Sequence, residues 1–190
     1  FCASEKEKEH LLKDIYDYDE SMIKVTGYPM LDAITSKKEK LILIAPGDRR
    51  NFCIYENSDY YRFSDSKFFK LYNAILTDNK FLSQCKKHNY KIAVLMPPAI
   101  EKYIKMFHCD ETVTLYPCTE QNETSLVSRA AVLLTDYSEL QYRFAYMNKP
   151  VIYYFPSGLP TPPEYRNEKI SRNAFGEIFF DHDKLIDFIC

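Results

Sequence analysis

LLTDYSELQYRFAYMNKPVIYY, residues 133–154, decides the fold. Its two apolar ends, Leu133–Leu134 and Val151–Tyr154, have the character of buried strands, and the residues between them follow a helical amphipathic period. A strand, a helix and a second strand, with the strands apolar on both faces, form the repeating unit of a covered parallel sheet. The polar knot Thr135-Asp136-Tyr137-Ser138 stands where the first strand stops and the helix begins.

The same alternation extends in both directions. KLILIAP (40–46), KIAVLMP (91–97), VTLYP (113–117) and AVLLTD read as further strands, and GEIFF as a short strand-like run. SDSKFFKLYNAILTDNKFLSQCKKHN (64–89) carries Phe68, Phe69, Tyr72, Ile75 and Leu76 at helical spacing, with an interruption near Asp78-Asn79. AIEKYIKMF, SLVSRA, SELQYRFAYMN and DHDKLIDFI read as helices. SEKEKEHLLKDIYDY opens the chain as a charged helix with Ser4 available as its cap, and MIKVTGYPMLDAI reads as a short strand-like run broken by Gly27 and Pro29. Residues 47–63 and the proline-rich SGLPTPPEY read as loops. The expected class is α/β, doubly wound on a mainly parallel sheet.

Composition narrows the function classes. The 190 residues are 46% hydrophobic and 27% charged, enough for a buried core beneath an ordinary polar surface. A net charge of −2 without a concentrated basic face argues against nucleic-acid binding. No apolar run approaches the ~20 residues of a membrane span, and no leader pattern is visible. The six cysteines are scattered without C-x-x-C or paired histidine spacing, so neither a metal nor a cofactor is expected, and the thiols are expected to be reduced. His10, His88 and His182 fall in polar surroundings and are expected to be solvated, His108 is open to a cap or ligand role, and none of the four is expected to be catalytic.

In open α/β sheets ligands bind outside the carboxyl ends of the strands, where loops lead into helix N-termini. Asp136, Tyr137 and Ser138 lie at such an end, and a helix starting at Ser138 would present free amides to a phosphate. The same residues also fit a structural role. Ser138 and Gln141 match the capping box S-x-x-Q, and Asp136 places favourable charge near the first turn. Local pattern alone leaves both readings open.

Several segments, taken in order, resemble the C-terminal domain of the CDP-glycerol glycerophosphotransferase family. Val25-Thr26-Gly27-Tyr28-Pro29-Met30-Leu31-Asp32 resembles the family's interdomain junction, and Ile44-Ala45-Pro46-Gly47-Asp48-Arg49 its strand ending in an arginine. FSDSKFFKLYNAIL (63–76), Thr135-Asp136-Tyr137-Ser138 and FAYMNKPVIYY (144–154) follow three more of its motifs, and Phe175-Gly176 with DHDKLIDFI its closing pattern. The resemblance implies the Rossmann-like, nucleotide-binding half of a two-domain GT-B transferase. On that basis residues 1–24 are expected to be the trailing end of a preceding domain or a linker helix, and 25–190 the C-terminal nucleotide-binding domain. It places the donor phosphates or nucleotide among Arg49, Thr135, Asp136, Tyr137, Ser138, Glu139 and Arg143. It also implies a CDP-linked polyol phosphate donor, and a polymer or lipid-linked acceptor reached through a missing N-terminal domain that supplies the base. Location is expected to be cytoplasmic, at the inner face of the membrane in the longer parent protein.

The pattern is also broken at informative places. Where the family carries a histidine after a strand, this chain reads Leu95-Met96-Pro97-Pro98. The family's second serine is Glu139, its aspartate after the next aromatic is Arg143, and its tryptophan is Asp48. Arg143 either replaces the lost cation at the phosphate or pairs with Glu139 one helical turn away. Tyr60-Tyr61 and Tyr153-Tyr154 either stack on a base or pack in the core. The leading expectation is transfer of glycerol phosphate to an envelope polymer. The alternatives are a degenerate, non-catalytic domain and a nucleotide-sugar glycosyltransferase or epimerase on the same fold.

Overall fold

Six parallel strands in the order β3-β2-β1-β4-β5-β6 form the sheet: β1 Leu41–Ala45, β2 Lys91–Met96, β3 Val113–Pro117, β4 Val132–Thr135, β5 Val151–Tyr154 and β6 Ile178–Phe179. The computed structural model describes residues 1–13, 17–47, 63–156, 159 and 174–190. Two compact units are present, Phe1–Thr35 and Ser36–Cys190, and the sheet lies in the second.

Alternation along each strand divides the core into two layers. Ile42 and Ile44 of β1, Ile92 and Val94 of β2 and Leu134 of β4 face one side of the sheet. They pack against α3 (Lys67–Leu76), α4 (Asn79–Lys87), the 3₁₀ helix Pro98–Met106 and α7 (His182–Ile189). Leu41, Leu43, Leu95, Leu133 and Val151 face the other side, against α5 (Glu120–Arg129) and α6 (Leu140–Tyr146). Leu43 and Ile44 are both fully buried, and burial of such side chains contributes about 1.5–3 kcal/mol each.

The helices begin where side chains can satisfy their free amides. Ser66 Oγ accepts from Phe69 N at 3.1 Å to start α3, and Asp78 Oδ1 accepts from Phe81 N at 2.8 Å to start α4. Asp78 is thus the interruption seen in the sequence. Thr119 Oγ1 caps α5 through Asn122 N, and Asp181 Oδ1 caps α7 through Lys184 N.

Four sequence readings are corrected. AIEKYIKMF lies in a 3₁₀ helix that opens at Pro98, directly after Pro97. The helix expected over SLVSRA starts earlier, at Glu120, because the Thr119 cap initiates a polar first turn that no apolar period announces. His182 is not merely solvated: its Nε2 lies 3.1 Å from Asp78 Oδ2, joining the starts of α4 and α7. MIKVTGYPMLDAI forms no strand of the sheet. In the first unit Val25 makes only a parallel bridge to Cys2, Gly27 turns the chain at φ 75°, and Pro29–Asp32 forms the short helix α2. That unit also contains α1 (Glu5–Lys13), where Ser4 Oγ accepts from Glu7 N at 3.2 Å and Glu7 reaches back to Ala3 N at 2.7 Å.

Candidate functional site at the switch point

Strand β1 is followed in space by β2 on one side and β4 on the other, so the winding of the sheet reverses between β1 and β4. The crevice above such a reversal is where open α/β sheets bind ligands. Ala45 is the register partner of Thr135, which brings the turns Pro46-Gly47 and Asp136-Tyr137-Ser138 side by side.

Asp136 lies at the centre of this corner and is 2% exposed. Its Oδ1 accepts from Gly47 N at 2.6 Å and from Tyr137 N at 2.7 Å. Its Oδ2 accepts from Tyr72 Oη of α3 at 3.3 Å. Thr135, equally buried, donates from Oγ1 to Ala45 O at 2.6 Å, and the same oxygen accepts from Ser138 N at 3.4 Å. Tyr137 covers Gly47 so closely that a Cβ at residue 47 would collide with the tyrosine ring. The two turns are therefore fastened by a buried carboxylate, a buried hydroxyl and a ring-on-glycine contact.

Beyond the corner the expected helix start shifts. Helix α6 begins at Leu140 and has seven residues. Ser138 Oγ accepts from Leu140 N at 3.3 Å, and the capping box with Gln141 does not form. The reason is Tyr153 of β5, whose hydroxyl donates to Gln141 Oε1 at 2.8 Å and draws that side chain into the core. Phe175 N donates in turn to Tyr153 Oη at 3.2 Å. Tyr153 is thus core rather than a stacking platform, with its hydroxyl pKa raised by burial.

The structure gathers Thr135, Asp136, Tyr137 and Ser138 into one corner, with Glu139 exposed at its edge. Arg143 goes elsewhere. Its Nη1 meets Glu123 Oε1 of α5 at 2.8 Å, so the expected pair with Glu139 is replaced by a contact between helices. Arg49, together with Arg50, Asp48 and Tyr60-Tyr61, lies outside the described residues. His108 is exposed, and its backbone amide donates to Asn73 Oδ1 at 3.0 Å.

Two buried polar contacts escaped the sequence reading, one in the corner and one at the opposite end of the sheet. Tyr72 sits at core spacing on α3, and nothing local announces that its hydroxyl reaches Asp136. Lys149 is a second case: it is 4% exposed, and its Nζ donates to Lys37 O, Val127 O and Ser128 O at 3.1, 3.0 and 2.7 Å. Burial, and after it Lys38, push its pKa below the ordinary 10.5. Two of the three carbonyls belong to the last turn of α5, where a cation also complements the helix dipole. Among the described residues no group of three or more His, Cys, Asp or Glu is placed to hold a metal, and no helix is long and apolar enough to cross a membrane. A cavity of about 520 Å³ lined by Ile42, Phe81, Cys85, Val132, Ile152 and Cys190 lies at the amino ends of β1, β4 and β5, away from the switch point.

The sequence model of the family described as CDP-glycerol:poly(glycerophosphate) glycerophosphotransferase matches residues 1–189. The chain belongs to that glycerophosphotransferase family. The minor teichoic acid biosynthesis protein GgaB of Bacillus subtilis (strain 168) is 28% identical over 193 residues, which cover 97% of this chain and 21% of GgaB. The chain thus spans about a fifth of the length of this relative. Among solved structures, the UDP-GlcNAc 2-epimerase of Methanocaldococcus jannaschii superposes with a TM-score of 0.54 at 13% identity, over all of this chain and 53% of the epimerase. That likeness supports the doubly wound fold of this glycerophosphotransferase-family chain and nothing about its chemistry.

Proposed function

We propose that this chain is the donor-binding half of a transferase that moves glycerol phosphate, or a related polyol phosphate, from a CDP-linked donor to a cell-envelope polymer. The family membership and the fastened switch-point corner support this reading, and the corner is the observation that carries it. In the reaction an acceptor hydroxyl attacks the phosphorus that bears the polyol. The bond from that phosphorus to the bridging oxygen breaks, and CMP leaves with the electron pair. A base takes the hydroxyl proton, and donors stabilise the charge that builds on the phosphoryl oxygens. Arg49 and the Ser138 hydroxyl are the proposed donors on this half. The seven-residue α6 adds only a weak dipole, so the reading does not rest on it. The base and the acceptor site are assigned to a domain outside this chain, and the parent protein to the cytoplasmic face of the membrane.

Calorimetric titration of the full-length protein with CDP-glycerol, CDP-ribitol, CMP and UDP-sugars tests the proposal. Binding of the cytidine ligands in preference to UDP-sugars is expected, and no heat from any ligand in folded protein overturns it. A second reading, a non-catalytic domain retained for interaction, draws on Arg143 being held by Glu123 while Glu139 puts negative charge at the corner. Turnover of a CDP-linked donor by the full-length protein rules it out.

A further inference from the structure

We propose that Asp136 is a positioning residue, which holds the β1 and β4 turns in register across the switch point without touching the donor. The inference rests on the donor-site reading above. A carboxylate at the mouth of a ligand crevice has two uses: it contacts the ligand, or it organises the backbone that does. Three observations assign Asp136 to the second.

The first is burial, since only 2% of the residue is exposed to anything entering the crevice. The second is the direction of its bonds. One oxygen collects the amides of Gly47 and Tyr137, from turns 89 residues apart and adjacent in sequence respectively, and the other takes the Tyr72 hydroxyl of α3. Amides pointing at a shared carboxylate oxygen are not available to a phosphate at the same time. The third is sign, because an ionised carboxylate beside a diphosphate opposes binding unless it is turned away from it.

Asp136 thus occupies the amides that a bare turn pair would offer to solvent. Fixing the Gly47 amide fixes the end of the β1 turn at the mouth of the switch point. Thr135 Oγ1, bonded to Ala45 O, supports the same register one residue earlier.

The test separates an acceptor from a charge. In Asp136→Asn the side-chain oxygen still accepts from Gly47 and Tyr137, whereas Asp136→Ala removes the bracket. Hydrogen exchange is followed in the full-length protein on peptides spanning 45–47 and 135–138, with CMP affinity measured in parallel. Asp136→Asn is expected to keep exchange protection and to bind CMP within about threefold of wild type. Asp136→Ala is expected to exchange at least about tenfold faster at Gly47 and Tyr137 and to bind CMP at least about tenfold more weakly. The proposal is overturned if Asp136→Asn loses as much affinity as Asp136→Ala with protection intact, or if Asp136→Ala leaves both amides protected. If Asp136→Ala does not fold, Asp136→Ser, which cannot reach both amides, replaces it. Should wild type bind none of CMP, CDP-glycerol, CDP-ribitol and UDP-sugars, the donor reading fails and the exchange measurement alone decides the bracket.

Discussion

Arg143 Nη1 lies 2.8 Å from Glu123 Oε1, so the cation of α6 is committed to α5 rather than to Glu139, which precedes its own helix. Both side chains are about a quarter exposed, and solvent screens the pair. A double-mutant cycle on Arg143→Ala and Glu123→Ala, read by urea denaturation, is expected to give a coupling of about 0.5–1 kcal/mol. The cycle on Arg143 and Glu139 is expected to give none. A coupling to Glu139 equal to that with Glu123 would contradict the contact.

Gly47 is required by Tyr137. Its backbone needs no left-handed conformation, and the constraint is the ring that covers it. Gly47→Ala is expected to cost about 1–3 kcal/mol through overpacking at the corner. In the Gly47→Ala/Tyr137→Ala double variant most of that loss should vanish, because the colliding ring is gone. Thermal denaturation of the two variants and the Tyr137→Ala parent measures it.

Asp78 links pH to stability. Burial raises its pKa, but the Phe81 amide and then His182 outweigh this, so its carboxyl sits below the ordinary 3.8. A depressed folded pKa means that the native state binds fewer protons than the unfolded chain. The stabilisation is therefore complete above about pH 3.8 and is lost as pH falls through the folded value. Asp78→Ala, which also removes the α4 cap, is expected to cost about 1–2 kcal/mol near neutral pH. Asp78→Asn keeps the cap and is expected to flatten the acid limb of a stability-versus-pH curve. An unchanged acid limb in Asp78→Asn would remove this group from the account.

Lys149 fastens the end of α5 to the approach to β1. Replacing it with methionine keeps the volume but leaves three carbonyls without this donor, and is expected to cost about 1–3 kcal/mol in urea denaturation. Lys38→Met on the exposed surface is the control, expected within about 0.5 kcal/mol of wild type.

These residues show what could be read in advance. LILIA, KIAVLM and VIYY announced the parallel sheet because a strand buried on both faces is apolar along nearly all of its length. The knot at 135–138 was legible as the mouth of a strand-to-helix turn for the same reason. What the corner does internally was not legible. The bond from Asp136 to Gly47 spans 89 residues and that from Tyr72 spans 64, and no local period encodes such pairings. Gln141 shows the limit most clearly, for its position three after a serine reads as a cap, yet Tyr153 competes for it and wins through burial. Arg143 likewise followed a tertiary neighbour, because a helix-surface pair is worth only a few tenths of a kcal/mol against such competition.

The outermost strands have a bearing on how molecules of this protein meet one another. Among the described residues, one rim of the sheet is β6, only Ile178–Phe179 long, and the other is β3, whose last residue Pro117 has no N–H to donate. A stray extended chain finds two residues to zip onto along β6, and along β3 it loses a donor at the carboxyl end. The short β6 margin is thereby the less inviting of the two to accretion when copies crowd together.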